Sequence, residues 1–432
     1  MTSTIQSLPR ELTKVVQRRL AGTSSQHSTF EHSSADLLDH VYQNLCEIRK
    51  TFIGYPVNQS FEYTPIYRFF SFSGNNYGDP FHPSNFGLNT HDVERIVVSA
   101  FAQLLNTSLA EAWGYVTSGT TESHISSLSA AREKYPNGVV YYSCAAHSSV
   151  AKVVWILGMQ SVQIPSQKDG EMDYSALELS LLQHKTQPAI VIVNIGTTMT
   201  GAIDSLPKIR EILHRVGLLE TYLHADAALS GMILPFVESP QPFRFSDGLD
   251  SIAISGHKMI GSPVPCGVVL VRREHISHLQ DAGEVEYVRC RDTTIASSRS
   301  AISPLILYWA LRTKGVLNQQ YQLGDATAMR QMVRDALNMA EYAIRAMRRK
   351  GIPAWRHANS LTIVFPRTSS VLEKRWYLAS SGEISHMITM PGITTEQIDH
   401  LVADLGFDAA VENGSMKNSK PAQRPTKLSV AA

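Results

Sequence analysis

Two charged residues in this 432-residue sequence stand where reactive groups are commonly placed, each at the end of an apolar run. Lys258 follows the run 251–255, and Asp226 lies 32 residues earlier, after the run 221–225. A lysine amine in its neutral form adds to an aldehyde. An aspartate carboxylate can keep a neighbouring ring nitrogen protonated. The two residues therefore suit a ligand that is both an aldehyde and a pyridine.

Three consecutive residues and one histidine offer the remaining parts of such a site. Ser118, Gly119 and Thr120 follow an apolar run and open a helical pattern, so hydroxyl groups, a free backbone and a helix N-terminus can surround a phosphate. They also suit an ordinary helix cap with Glu122 in the first turn. His147 supplies a flat ring that can stack. Together these groups fit pyridoxal 5′-phosphate (PLP), an electron sink that the protein orients.

Alternating β-like runs and amphipathic stretches position these groups. Between residues 112 and 273 the pattern predicts a mainly parallel sheet with helices on both faces. In such folds ligands bind at the carboxyl ends of the strands, where the groups above fall. After Pro304 the pattern predicts a smaller α+β domain. The predicted strands are 113–117, 139–143, 161–164, 189–194, 221–225, 251–255 and 267–271, with helices at 122–134, 148–157, 174–184 and 206–216.

Composition excludes several classes of protein. The 39 Lys and Arg residues balance 38 Asp and Glu, so no broad basic field is available for nucleic acid or an anionic membrane. No uncharged apolar run approaches the ~20 residues of a membrane span, and residues 1–20 lack the apolar core of a signal peptide. The four cysteines have no metal-ligand spacing, which predicts reduced thiols. We expect a soluble, cytoplasmic, metal-free protein that binds small molecules.

Two longer blocks carry a resemblance to a known family. They are His224-Ala225-Asp226-Ala227-Ala228 and the block 255–267, which begins Ser255-Gly256-His257-Lys258. Both resemble the group II PLP-dependent amino-acid decarboxylases. Within that group the chain is most similar to the bacterial PLP-dependent histidine decarboxylases and more distantly similar to plant serine decarboxylase. The likeness extends from about residue 54 to about residue 405.

The resemblance implies PLP fold type I, which is aspartate aminotransferase-like, with an active site at a homodimer interface. It implies that Lys258 forms a Schiff base with PLP and that Asp226 pairs with the pyridine nitrogen. His147 would stack on the ring and contact the amino-acid substrate. Ala228, from the motif of Asp226, joins the cofactor-binding residues. A ring N–H would also compensate the cost of a carboxylate among small apolar neighbours.

Other residues are predicted from weaker signals. Ser255 and His257 are expected to add phosphate contacts. Thr197 is expected to contact the phenolic side of the cofactor or, equally, to cap the following helix. Tyr287 matches a mobile loop of the family that enters the neighbouring subunit's site. There its hydroxyl is a candidate acid for the substrate Cα, with packing under the loop as the alternative.

Two further assignments follow from the resemblance. Ser298 and Arg299 close the loop of Tyr287 and are expected to approach the partner's phosphate. Tyr55 is expected to line the substrate pocket. The predicted segments are a flexible leader at 1–35, a segment at 36–90 that contributes to the site and the dimer, a large PLP-binding domain at 91–303, a small C-terminal domain at 304–408 and a flexible tail at 409–432.

The chain departs from the histidine decarboxylase pattern at three places. Asn-Gly-Gly-Thr-Glu-Gly-Asn is replaced by residues 118–124, which read Ser-Gly-Thr-Thr-Glu-Ser-His. The tyrosine after the stacking histidine is Ser148, and Gly-Ser-Arg-Asn-Gly-His is replaced by residues 297–302, Ser-Ser-Arg-Ser-Ala-Ile. These changes spare the lysine, the aspartate and the stacking histidine, so they bear on substrate choice and turnover rather than on PLP binding.

We predict a decarboxylase that converts L-histidine to histamine and CO2. The first alternative is the same reaction on serine or another small or apolar amino acid. A second is a PLP aminotransferase or lyase, because one fold hosts many reactions; a requirement for a keto acid would identify it. A third is a degenerate homologue that acts as a binding subunit, against which the retention of Lys258, Asp226 and His147 argues.

Overall fold

The computed structural model describes residues 34–276 and 283–412. The chain divides into two compact units, Met1–Lys50 and Thr51–Ala432. In the first unit the described part is helix α1, Ser34–Arg49. The boundary between the units falls after Lys50, inside the segment predicted at 36–90, and the contribution of that segment to the site and the dimer stays a prediction. Residues 1–33 of the predicted leader lie outside the described residues.

A seven-stranded sheet forms the centre of the second unit, counting the described strands. Its spatial order is β1-β7-β6-β5-β4-β2-β3. The strands are β1 Ala112–Thr117, β2 Val139–Ser143, β3 Ser161–Ile164, β4 Ala189–Asn194, β5 Thr221–Asp226, β6 Ser251–Ser255 and β7 Gly267–Arg272.

The strands of this sheet run in one direction except β7. The pairs β2–β3, β2–β4, β4–β5 and β5–β6 are parallel, whereas β7 is antiparallel to both β1 and β6. Every residue of β4 and β6 is buried, as expected for strands covered on both faces. The prediction of a mainly parallel α/β sheet is confirmed.

Helices connect successive strands and cover the sheet. Helix α7, Leu206–Val216, illustrates how the sequence determines where these helices begin and end. The Ser205 hydroxyl accepts the backbone N–H of Lys208 at 3.4 Å, Pro207 lies in the first turn, and Gly217 ends the helix with φ of 81°. These helices are α3 His91–Leu104, α4 Thr120–Lys134, α5 Ser148–Ile156, α6 Tyr174–Gln183 and α7 Leu206–Val216.

A second layer follows residue 300. Its three strands lie in the order β10-β12-β11 and share a separate apolar core with the helices around them. The last helix continues to Glu412, four residues into the segment predicted as a tail, and residues 413–432 lie outside the described residues. The elements are α8 Ile302–Thr313, α9 Thr327–Arg349, β10 Thr362–Pro366, α10 Ser370–Trp376, β11 Ala379–Ser381, β12 Ile384–Ile388 and α11 Thr395–Glu412.

Short elements complete the described part of the chain. Helix α2, Thr64–Tyr67, precedes α3, and a small hairpin is formed by β8, Glu284–Val285, and β9, Cys290–Arg291. The second unit is not divided at residue 303, so the boundary between a large and a small domain stays a prediction. None of the helices in the described ranges has the length and apolar character that a membrane crossing requires.

Candidate active site

The carboxyl ends of four strands meet at one edge of the large sheet. Asn194 at the end of β4 pairs with Asp226 at the end of β5. Thr117 at the end of β1 and Ser255 at the end of β6 both pair with Gly267, the first residue of the antiparallel β7. The loops that carry the predicted site residues therefore leave the sheet side by side.

The turn after β1 contacts the end of β6 directly. The hydroxyl groups of Thr120 and Ser255 hydrogen bond each other. Gly119, the N-cap of α4, has φ of 152°, and a side chain there would project into space free of protein atoms within 4 Å. Helix N-terminus, open glycine and paired hydroxyls form a cradle that suits a phosphate dianion. Gly267 permits this approach, because an added Cβ would lie 2.9 Å from Thr117 Oγ1.

Ser118 has a different role in this turn. Its backbone N–H and its hydroxyl both donate to Glu122 Oε2, at 2.7 and 2.6 Å. These contacts join Ser118 to the first turn of α4, whose N-cap is Gly119 without a side-chain cap. In this geometry Ser118 has no hydroxyl proton left for a phosphate, so the donors of the cradle come from the residues after it.

Asp226 is almost fully buried, with 7% of its surface exposed. Oδ1 accepts the backbone N–H of Ala228 at 3.1 Å, and Oδ2 lies 3.4 Å from His124 Nε2. Burial alone would raise the pKa of this carboxyl group. The charges of His124 and Lys258 and the Ala228 N–H outweigh that effect and hold the pKa below its usual range. Asp226 is therefore an anion at neutral pH, as a partner for a ring N–H must be.

Lys258 lies half-buried beyond the end of β6. Burial lowers the pKa of its amine, and the nearby Asp226 carboxylate opposes that shift. The lowered pKa increases the neutral fraction of the amine, which is the form that attacks a carbonyl group. The structure thus brings the predicted nucleophile and the predicted acid together.

His147 is the N-cap of α5. Its Nδ1 accepts the Ser149 backbone N–H at 3.2 Å and lies 2.8 Å from the Ser149 hydroxyl. Burial lowers its pKa, while the charge of Asp226 opposes this. Its electrostatic neighbours include Lys258 as well. The cap fixes the ring orientation while the residue remains exposed, so the capping and stacking interpretations are compatible.

Ser255 and His257 flank the same edge. Ser255 is buried and its hydroxyl is shared with Thr120. His257 Nδ1 lies 2.9 Å from the carbonyl oxygen of Cys266 and 3.3 Å from its backbone nitrogen. If Nδ1 accepts that N–H, the neutral ring carries its proton on Nε2 and can donate it to a phosphate.

Thr197 lies on the loop after β4, and its hydroxyl is used within that loop. It pairs with the Thr200 hydroxyl at 2.9 Å and accepts the Ala202 N–H at 3.0 Å, and Thr197 is 2% exposed. These contacts support the loop-capping alternative. The neighbouring Thr198 is the exposed hydroxyl of this turn.

Tyr287 lies between β8 and β9, apart from the residues above. Its side chain is 76% exposed, and its hydroxyl donates to the Tyr77 hydroxyl at 3.3 Å. Within the described ranges, its contacts join it to Tyr77 rather than to the strand ends, so a role in this chain's own site has no support.

Three residues assigned from the resemblance have specific partners. The Ser298 hydroxyl accepts from Asn75 Nδ2 at 3.0 Å. Arg299 is 7% exposed and forms a buried ion pair with Glu94. Its guanidinium is thus engaged inside its own chain, and an approach to a partner's phosphate stays a prediction. Tyr55 is 46% exposed and stacks on Phe52 with 5.3 Å between ring centroids.

Sequence reasoning gave His124 no certain role. Helix α4 packs across β5, β6 and β7, and His124 lies one turn after Thr120 on that helix. This i, i+4 spacing was the available signal, because it places both residues on one helix face. His224, one of the fully buried residues of β5, contacts His124 behind Asp226.

The described side chains fit PLP. The buried Asp226 carboxylate has one oxygen bound by the Ala228 N–H and suits a cationic partner. The pKa of the Lys258 amine is lowered by burial. Thr120 and Ser255 border the open turn at Gly119. Each group corresponds to a different part of the cofactor, and the burial of Asp226 limits the access of water to the acid.

Comparisons with known proteins agree with this chemistry. A family model described as the pyridoxal-dependent decarboxylase conserved domain matches residues 89–349. The chain is 44% identical over 363 residues to a histidine decarboxylase of Pseudomonas entomophila strain L48, covering 83% of this chain and 87% of that protein. It is 43% identical over 371 residues to a histidine decarboxylase of Acinetobacter baumannii strain ACICU, covering 85% and 94%.

A solved structure extends the likeness to three dimensions. L-methionine decarboxylase from Streptomyces sp. 590 superposes with a TM-score of 0.77 at 25% identity, covering 89% of this chain and 98% of the other. The predicted PLP fold type I is confirmed. The chain belongs to the pyridoxal-dependent decarboxylases, carboxy-lyases that use PLP as their cofactor.

Proposed function

We propose that this protein converts L-histidine to histamine and CO2. The observation that carries the proposal is the joint placement of Lys258, Asp226 and His147 at the strand ends. Most of the chain is similar to histidine decarboxylases, which supports histidine as the substrate.

When bound, PLP supplies the aldehyde that captures the substrate amine and the ring that accepts electrons as CO2 leaves. Lys258 provides the neutral amine that holds the cofactor before substrate arrives. Asp226 holds a proton on the ring nitrogen through Oδ2 or Oδ1, because it stays ionised beside His124 and the Ala228 N–H. Thr120 and Ser255 bind the phosphate from the open turn.

His147 would stack on the cofactor ring and contact the substrate, and so orient it. Its Nδ1 is fixed by the Ser149 N–H, so the ring plane is set by the start of α5 rather than by the ligand. The lowered pKa of His147 favours the neutral ring at neutral pH. A neutral ring stacks on the cofactor without adding a positive charge next to the one that Asp226 maintains.

We also propose that the working form is a cytoplasmic homodimer whose two chains share each site. Large apolar side chains of residues 61–88 are exposed, including Phe61, Phe70 and Phe72 at 44%, 62% and 63%. Such a surface is typical of subunit interfaces. The four cysteines are free, in keeping with a reducing compartment.

A substrate panel tests the proposed reaction. We expect kcat/KM for histidine to exceed that for serine, methionine and the aromatic amino acids by tenfold or more, about 1.4 kcal/mol in transition-state binding. A site built to hydrogen bond an imidazole discriminates well, because its polar groups are unpaired with other substrates. Lys258→Ala, which lacks the nucleophilic amine, is the inactive control. A tenfold preference for another amino acid would refute histidine as the substrate and leave decarboxylation standing.

A further inference from the structure

A chain of buried polar groups runs behind Asp226. His124 Nε2 lies 3.4 Å from Asp226 Oδ2, and His124 Nδ1 lies 2.8 Å from His224 Nε2. His224 Nδ1 in turn lies 2.8 Å from the Ser251 hydroxyl. His124 is 1% exposed, and His224 and Ser251 are 0% exposed. These three side chains connect α4, β5 and β6 in the interior of the protein.

The distances restrict where the protons lie. Two imidazole nitrogens at 2.8 Å need one proton between them. Burial lowers the pKa of His224 to about 3, with the charge of His124 adding to this, so His224 is neutral. Asp226 is an anion, and a bare Nε2 lone pair facing it would be repelled. His124 Nε2 is buried and has no hydrogen-bond partner, and Asp226 Oδ2 at 3.4 Å is the acceptor that it faces, so the arrangement that fits carries a hydrogen on this atom.

His224 and Ser251 can provide matching hydrogen-bond partners whether His124 is neutral or protonated. If His124 is neutral, His224 Nε2–H donates to His124 Nδ1 and the Ser251 hydroxyl donates to His224 Nδ1. If His124 is an imidazolium, its Nδ1–H donates to His224 Nε2, and His224 Nδ1–H donates to Ser251. In both states His124 presents Nε2–H to Asp226.

We propose that His124 is a positioning residue that holds Asp226 by an Nε2–H, with His224 and Ser251 fixing its tautomer, so that Asp226 keeps the cofactor ring protonated. The inference rests on the proposed PLP site. The Ala228 N–H occupies Oδ1 of Asp226, and His124 Nε2 faces Oδ2 at 3.4 Å. Lys258 and His147 are the other charged or titratable neighbours of Asp226, and neither is a fixed hydrogen-bond partner of its carboxylate.

Two amide variants separate the halves of the imidazole. In His124→Gln the amide extends to the position of Nε2 and retains a donor toward Asp226. In His124→Asn the shorter amide retains the contact toward His224 and withdraws the donor from Asp226. Neither amide ionises, so the pair tests the donor rather than the charge.

The readout is the nitrogen NMR shift of PLP labelled with 15N in its ring, which reports whether that nitrogen is protonated in the loaded protein. We expect a protonated ring in wild type and in His124→Gln. In His124→Asn we expect a shift toward the neutral ring and a fall in kcat of about tenfold or more with KM retained, since a hydrogen bond to a charged group is lost.

A second measurement observes the wild-type protein and uses a variant only to assign the signal. Wild-type holoenzyme with 15N-labelled histidine should show Nε2 of His124 protonated, with the signal assigned by its loss in His124→Gln. An unprotonated Nε2 would overturn the inference, as would a wild-type ring shift in His124→Asn or an equal change in both variants. Wild-type protein that takes up no PLP and gains no borohydride-stable label would instead overturn the proposed function.

Discussion

Glu94 and Arg299 form an ion pair whose side chains are 0% and 3% exposed. Glu94 also accepts the Val116 N–H at 2.8 Å and Asn76 Nδ2 at 2.7 Å. Arg299 donates to the Gly78 carbonyl oxygen at 2.7 Å. The pair therefore ties the loops around residues 78 and 299 to β1, the strand that leads into the Gly119 turn.

Arg299→Met should destabilise the protein by about 3–5 kcal/mol, because it leaves the buried Glu94 charge without its partner. Denaturant unfolding of the apoprotein measures the change. The control is Arg345→Met, which removes an exposed pair with Glu341 and should cost at most about 1 kcal/mol. Equal effects of the two variants would contradict the assigned role of Arg299 as a buried anchor.

Borohydride treatment of the PLP-loaded protein should fix the cofactor on the peptide that contains Lys258. Peptide mass spectrometry locates the label. Lys258→Ala should give no label and no measurable turnover, since its side chain has no amine to attack the aldehyde. Lys314, another lysine whose pKa is lowered by burial, provides the control, because Lys314→Ala should be labelled normally. A label at any other lysine would refute the assignment.

Asp226→Asn should still bind PLP but lose at least ~100-fold in kcat. The neutral amide lacks the carboxylate's stabilisation of the ring cation, which is worth about several kcal/mol. Asp204→Asn is the matched control. Asp204 is also buried, accepts the backbone N–H groups of Met172 and Asn194, and has its pKa raised by burial to about 6. Its loss should lower stability and spare turnover of the folded enzyme. Near wild-type turnover in Asp226→Asn would mean that the acid lies elsewhere.

Tyr287→Phe should slow turnover or divert it to by-products if its hydroxyl protonates the substrate Cα in a partner's site. The matched change Tyr77→Phe removes the hydroxyl that Tyr287 contacts and should have the smaller effect. Mixing Tyr287→Phe with Lys258→Ala subunits should restore activity, since one hybrid site then has both groups. Failure to restore activity, with mixed dimers demonstrated, would contradict a shared site.

Acidification should destabilise the fold through His224. Burial and the charge of His124 lower the pKa of His224 to about 3, against about 6.5 in an unfolded chain. Between these values the unfolded chain binds the extra proton. The free energy of unfolding should therefore decrease as pH falls, by up to about 1.4 kcal/mol per pH unit.

Denaturant titrations of the apoprotein from pH 7 to pH 4 measure this slope. His224→Gln should reduce the slope of unfolding free energy against pH by the contribution of one proton. His400→Gln, which replaces an exposed histidine, should leave the slope unchanged. A parallel slope in wild type and His224→Gln would show that other groups bind the proton.

Sequence patterns predicted the strands of the large sheet closely, because their apolar runs are short, continuous and bounded by polar turns. The runs 139–143, 189–194 and 251–255 match β2, β4 and β6. The lysine and the aspartate were likewise recognisable from their positions after such runs. Local pattern and tertiary position coincide there, since a buried parallel strand ends where the site begins.

Partners of individual polar groups could not be read from the sequence. The motif at Ser118 suited a phosphate cradle and a helix cap, and its contacts with Glu122 are seen only in the structure. The ion pair of Arg299 was not predicted, because its partner, Glu94, lies 205 residues away in sequence. Such pairings depend on which strands become neighbours, a property that spacing along the chain does not encode.

The position of β7 between β1 and β6 has a consequence for synthesis of the protein. In the described sheet β1 pairs with β7 alone, so the pairing of Thr117 with Gly267 forms only after Gly267 has been made. In a nascent chain that stops before β7, β1 can form contacts such as that of the Val116 N–H with Glu94 but has no strand partner. The phosphate cradle is thus completed by the last strand of the large sheet to be made, and closing so long a loop is slow.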